Sequence, residues 1–205
     1  MKYFIGTQEG EYEPGSGQKV LRNKLGIQSE LDMNEAEEVL LLQLYEYLFE
    51  PEFDLATLTF ANIQDWHHMW LQPIYEWAGK LRTVDMSKAD FRFAAAQFLP
   101  NQIQPFENSY LLEFEKLGHY TFDELVSFLA ESHVEFILIH PFREGNGRIS
   151  RLLMDVMATK AGYGPLDYSL WDGHKDFYFR AIQAGVAGEL QHMQRLVRDV
   201  LLVDE

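Results

Sequence analysis

An apolar run, Phe136-Ile-Leu-Ile139, stops at a histidine, and a second run with helical spacing begins at Ile149 and continues through Leu152, Leu153, Val156 and Met157. Between and around them stands His140-Pro-Phe-Arg-Glu-Gly-Asn-Gly-Arg148-Ile-Ser-Arg151. The pattern predicts two apolar helices joined by a polar, glycine-bearing loop. Such a loop constrains the whole chain, because its backbone must be held by a packed helical scaffold. A scaffold of that kind can also fix reactive side chains in place.

The chain has 205 residues, of which 47% are hydrophobic and 14% aromatic, enough to fill the core of one domain. No apolar stretch reaches the roughly 20 residues of a membrane span, and the start, Met-Lys-Tyr-Phe-Ile-Gly-Thr-Gln-Glu, turns acidic before a secretory segment could form. Cysteine is absent, which removes disulfides, thiolate catalysis and sulfur-based zinc sites, and fits a reducing compartment. The expectation is a cytoplasmic protein with no membrane contact. A formal charge of −15 opposes direct nucleic-acid binding, which needs many cationic phosphate contacts. Against that background Arg143, Arg148 and Arg151 form a positive island suited to a small anion.

Residues 1–30 are expected to form an arm packed on the domain, with 31–205 as the domain itself. Asp32 or Asn34 is the expected cap of a first helix with Leu40, Leu41, Leu44, Tyr47 and Leu48 on its apolar face, ending at Glu50-Pro51. A second helix is expected from Thr59 to Tyr75. Residues 80–93 change to alternation around Gly79, Leu81 and Val84 and predict a small β-hairpin flap. Helical spacing returns from Pro100. Thr121-Phe-Asp-Glu124 reads as a capping box, and two more helices are expected around residues 173–186 and 189–202. The fold class is all-α: a single domain of about seven helices plus the hairpin.

The loop has chemistry of its own. Gly145-Asn-Gly147 sits where the second helix should start, and the first N–H groups of a helix lack internal partners. With the helix dipole they make an anion site, which glycine lets a phosphate approach closely. Arg148 and Arg151, three apart, project from neighbouring positions and suit a di- or triphosphate. Glu144 could hold Mg²⁺ against such phosphates. His140, with an unperturbed pKa near 6.5, is the natural acceptor of a hydroxyl proton. Phe142 is expected to plug the loop into the core. Taken singly, each of these features has a plain structural explanation; together in one block they predict in-line attack by a hydroxyl on a nucleotide phosphate.

At every defined position the block resembles the Fic-domain signature His-x-Phe-x-(Asp/Glu)-Gly-Asn-Gly-Arg-x-x-Arg. Trp77-Ala-Gly-Lys-Leu-Arg-Thr83 resembles the Gly-x-x-Arg lead-in to the family's flap, and Pro14–Ile27 resembles the arm of Fic proteins partnered by a small antitoxin. The resemblance implies a protein adenylyltransferase that moves AMP from ATP, with Mg²⁺, to a hydroxyl of a target protein. It assigns His140 as base and Glu144 as metal ligand. Gly145, Asn146 and Gly147 become the anion hole, Arg148 binds the β-phosphate and Arg151 the γ-phosphate. Tyr178 is a candidate for the nucleotide pocket, and Phe91 or Phe93 for the flap that clamps the target.

Many Fic proteins carry an inhibitory (Ser/Thr)-x-x-x-Glu-(Gly/Asn) helix. The nearest runs here, Thr7–Glu11 before Tyr12 and Ser127–Glu131 before Ser132, do not fit. The resemblance therefore implies that the blocking glutamate belongs to a separate antitoxin, making this chain the toxin of a bacterial pair, with a type II topoisomerase as a first guess for the target. Transfer of UMP or phosphocholine, or a silent nucleotide-binding module, are the alternatives.

Overall fold

The structure, a computed structural model, describes residues 4–5, 11–50, 55–88 and 91–202. They are mostly helical, with eight α-helices among them. They group into two compact units: residues 1–56, 60–99 and 141–145, and residues 57–59, 100–140 and 146–205. The chain thus leaves the second unit after His140, runs through Pro141–Gly145 in the first, and returns at Asn146.

In the first unit helix α1 (Glu30–Leu48) packs against α2 (Phe60–Leu71). The cap of α1 is Ser29, whose hydroxyl accepts from the Asp32 N–H, not Asp32 or Asn34 as the sequence suggested. Serine one turn earlier satisfies the same orphan donor and leaves the acidic residues in the first turn, where the dipole favours them. Leu44 and Leu48 are buried as expected, but Tyr47 is exposed and Met33 and Glu37 take part in the inward face instead. Helix α2 stops at Leu71, short of the expected Tyr75. The Ile74 and Tyr75 N–H groups both turn back to the Leu71 carbonyl, ahead of which Pro73 offers no donor.

The flap is narrower than its alternation implied. Strands β2 (Met86–Lys88) and β3 (Phe91–Arg92) pair antiparallel, with Ser87 opposite Arg92. Residues 80–85 are an irregular lead-in, and residues 89–90 lie outside the described residues. A further strand, β1 (Phe4–Ile5), pairs antiparallel with β2, so the sheet order is β1-β2-β3. Local periodicity cannot show that addition, because the pairing joins residues far apart in the chain. From residue 11 the arm is held by the Tyr12–Leu21 bridge and by Lys24, whose N–H donates to the Ile74 carbonyl.

In the second unit, which α3 (Leu99–Ser109) enters at Pro100, that helix and a 3-10 helix (Leu111–His119) lead to α4 (Phe122–Ile139). The Thr121–Glu124 capping box is present in full. Helix α4 buries residues on nearly every side, including Leu129, Val134 and Phe136. That is the pattern of a central helix, and it packs against α5 (Asn146–Lys160), α7 (Lys175–Val186) and α8 (Gln191–Leu201). Short α6 (Ser169–Gly173) precedes α7. Helix α8 buries Met193, Leu196, Val197, Val200 and Leu201, an i, i+3, i+4, i+7, i+8 stripe. Each such side chain contributes about 1.5–3 kcal/mol before the entropy of ordering is subtracted. No described helix is long and apolar enough to cross a membrane.

Candidate active site

In the second unit His140 is the C-cap of α4, at φ 48° and ψ 60°. The left-handed conformation is uncommon for a residue with a Cβ and costs on the order of 1 kcal/mol. It ends the helix and turns the chain towards Pro141, whose ring disfavours helix in the residue before it. The side chain is 3% exposed and its Nδ1 lies 3.3 Å from the Ile137 carbonyl. A carbonyl can only accept, so Nδ1 carries the hydrogen, and in the neutral imidazole Nε2 holds the lone pair. That is the tautomer a general base needs.

Helix α5 starts at Asn146, so Asn146, Gly147 and Arg148 form its first turn. Asn146 is fully buried, Gly147 is exposed and Arg148 is half-buried. A Cβ at Gly147 would meet nothing within 4 Å; the helix start is open above that residue. One turn on, Arg151 meets Asp172 of α6 in a two-pronged pair, Nη1 to Oδ2 at 3.1 Å and Nη2 to Oδ1 at 3.0 Å. Its guanidinium also lies over the rings of Tyr168, Trp171 and Tyr178, at 5.0, 5.8 and 5.9 Å. Burial works against the charge, but Asp172 and the tyrosines outweigh it and raise the Arg151 pKa.

Tyr178 is buried. Its ring stacks on Trp171 at 5.1 Å and its hydroxyl lies 2.8 Å from His133 Nε2. Burial and the Arg151 charge push His133 down to about 3, so its imidazole is neutral near pH 7. Burial likewise raises the Tyr178 pKa.

In the first unit the rest of the motif is clamped by α2. Phe142 is fully buried, as expected of a plug, and stacks on His67 with ring centroids 4.0 Å apart. The Gly79 N–H donates to His67 Nδ1 at 2.8 Å. Nε2 therefore carries the hydrogen and donates to the Glu144 carbonyl at 3.1 Å. The Glu144 carboxylate, half-buried, accepts the Gly145 N–H at 2.9 Å. Gly145 sits at φ +79° against Trp70, where a Cβ would lie 2.6 Å from Cζ3. Trp70 is held in turn by its Nε1–H, which donates to the Glu37 carbonyl at 2.8 Å.

Arg82 joins the flap to the motif. Its N–H donates to the Pro141 carbonyl, and its guanidinium to the carbonyls of Val84 and Ala94 at the two roots of the hairpin. Burial lowers its pKa to about 10, which leaves it charged near neutrality. Phe93 is buried and Phe91 half-buried, with their rings 5.3 Å apart and edge-on, so Phe91 is the more accessible of the two flap candidates. A cavity of about 690 Å³ beside the arm has Leu21, Trp77, Leu81 and Arg143 in its wall; it holds no other residue of the motif.

Among the described residues no three His, Cys, Asp or Glu side chains cluster as a metal cage. A cation here would rely on the Glu144 carboxylate and bring its remaining ligands with it. That donor set fits Mg²⁺ carried on nucleotide phosphates, which keeps water and phosphate oxygens and takes one or two carboxylates from a protein.

Sequence reasoning missed His67, Trp70 and Asp172. His67 stands beside His68 without metal-ligand spacing, Trp70 reads as ordinary core, and Asp172 falls in a loop-like stretch before α7. Nothing local marks any of them.

A helical scaffold that presents this loop, with a hairpin beside it, defines a Fic-type domain. The chain belongs to the Fic/DOC family, which it matches over residues 57–158. It is 27% identical over 193 residues to the probable protein adenylyltransferase Fic of Escherichia coli K12, covering 90% of this chain and 89% of that one. Among solved structures, the N-terminal Fic domain of a Bartonella effector protein from Bartonella sp. AR 15-3 superposes with a TM-score of 0.79 at 22% identity, over 94% of this chain and 91% of the other. The BepC protein from Bartonella tribocorum, with bound AMPPNP, superposes at 0.73 and 23% identity over 90% and 93%.

Proposed function

We propose that this chain is a protein adenylyltransferase, moving AMP from ATP to a Ser, Thr or Tyr hydroxyl of a target protein. The observation that carries the reading is His140, a buried histidine at a helix end whose Nδ1–H is committed to the Ile137 carbonyl. Its Nε2 accepts the hydroxyl proton. The target oxygen forms a bond to the α-phosphorus, the α–β anhydride bond breaks, and pyrophosphate leaves with the electron pair. The open first turn of α5 at Asn146 and Gly147, with Gly145 before it, receives phosphate oxygens. Arg148 and Arg151 neutralise the β- and γ-phosphates. Glu144 would hold Mg²⁺, which supplies further charge neutralisation when bound. That several relatives are named protein adenylyltransferases supports AMP over UMP or phosphocholine as the group transferred.

The flap would receive the target segment by strand addition. With β1 on one side of β2, the open edge of the hairpin among the described residues is β3, which carries Phe91. Tyr178 would act at the nucleotide pocket from behind Arg151. We further propose a small antitoxin whose glutamate competes for Arg151, a cytoplasmic bacterial setting, and a type II topoisomerase as the target to try first.

The experiment is incubation of the protein and a cell lysate with ATP labelled at the α-phosphate. Label should appear on protein with the wild type and vanish with His140→Ala. Label retained by His140→Ala, or transfer from labelled UTP but not ATP, would overturn the assignment.

A further inference from the structure

The carboxylate of Asp172 occupies the end of the Arg151 guanidinium through both terminal nitrogens. We propose that Asp172 is a specificity-determining residue, an internal counter-anion that competes with the terminal phosphate of the nucleotide for Arg151. The inference rests on the reading above, in which Arg151 takes the γ-phosphate.

The guanidinium does not depend on Asp172 for its place. Three rings surround it, and each ring is fixed by other parts of the same unit. The Tyr168 hydroxyl donates to Asp155 of α5, the Trp171 indole N–H donates to the Leu196 carbonyl of α8, and the Tyr178 hydroxyl meets His133 of α4. Asp172 adds charge to this cage but little restraint. Its own side chain is 51% exposed, against 22% for Arg151. An ion pair with one wet partner is weak and sensitive to salt. A phosphate oxygen pair offers the same planar fork a second carboxylate-like acceptor with more charge. The fork end cannot serve both anions at full strength, so Asp172 lowers the affinity of this position for any terminal phosphate. A nucleotide that does not reach Arg151 pays nothing for it. Asp172 therefore narrows the advantage of a triphosphate over a monophosphate.

The test is calorimetric titration of wild type, Asp172→Asn and Asp172→Ala with AMPPNP plus Mg²⁺, and separately with AMP, at low salt. Both variants should bind AMPPNP about 2- to 5-fold more tightly, the range expected for release of a partly exposed pair, with AMP affinity unchanged. In an Arg151→Ala background the same substitutions should change nothing. Unchanged or weaker AMPPNP binding in the Asp172 variants would overturn the proposal, the weaker case showing that Asp172 positions the arginine. Equal shifts for AMP and AMPPNP would also overturn it. Wild-type protein that binds neither nucleotide would instead refute the nucleotide reading itself, and the inference with it.

Discussion

The imidazole of His67 lies nearly parallel to the phenyl ring of Phe142, 4.0 Å away with 13° between the planes. One edge of that imidazole accepts the Gly79 N–H and the other donates to the Glu144 carbonyl. A single neutral side chain thereby ties α2, the lead-in to the flap and the motif loop together within one unit.

Replacing His67 with Phe keeps a ring over Phe142 but removes both hydrogen bonds. Two backbone groups then lose their partners, at about 1–3 kcal/mol each if they stay buried. Urea denaturation should show a lower midpoint with an unchanged slope, and label transfer from ATP should fall further than the stability loss alone explains. Full transfer activity in this variant would show that the loop does not need the tie.

Gly145 and Gly147 should respond in opposite ways to alanine. At Gly145 the new Cβ meets Trp70 at 2.6 Å and the backbone is at φ +79°, so destabilisation of about 2–4 kcal/mol is expected. At Gly147 a Cβ meets nothing within 4 Å. Alanine there should leave stability level or raise it by about 0.5–1 kcal/mol, while weakening nucleotide binding by obstructing the start of α5. Thermal denaturation paired with AMPPNP titration separates the two.

Phe142→Ala empties a fully buried position and should cost about 3–5 kcal/mol. Arg151→Ala removes a partly exposed ion pair and cation–π contacts with three rings, at about 1 kcal/mol. Its main effect should be on AMPPNP affinity. Equal, small stability losses for the two variants in chemical denaturation would contradict this assignment of roles.

Acid should destabilise the second unit through His133. Its pKa is pushed down to about 3 in the folded protein by burial and by Arg151, against about 6.5 in an unfolded chain. As pH falls below 6.5 the unfolded state takes up a proton that the folded state refuses. The stability contribution is therefore complete above that pH and is lost on acidification, at up to about 1.4 kcal/mol per pH unit down to the folded pKa. A His133→Gln variant should show a shallower fall in denaturation midpoint between pH 6.5 and pH 4.

Much of this was legible in the chain. Apolar spacing gave the helices, and the Thr121–Glu124 box marked the start of α4 to the residue. The His140–Arg151 block carried the family resemblance that the match over residues 57–158 bears out. Periodicity carries that information because it records which face of each element is buried. Helix ends were less legible: Ser29 and Leu71 bound their helices through hydrogen bonds that several nearby residues could have made.

From the sequence alone came the helical class, the order of the elements and the reactive residue types, all properties encoded by near neighbours. Tertiary structure alone decided that His67 holds Glu144 across 77 positions and that Asp172 meets Arg151 across 21. It also decided that β1 joins the hairpin and that His140 takes a left-handed turn with its Nδ1 proton committed. Such pairings depend on how buried faces pack, and the same local pattern is compatible with many partners until packing selects one.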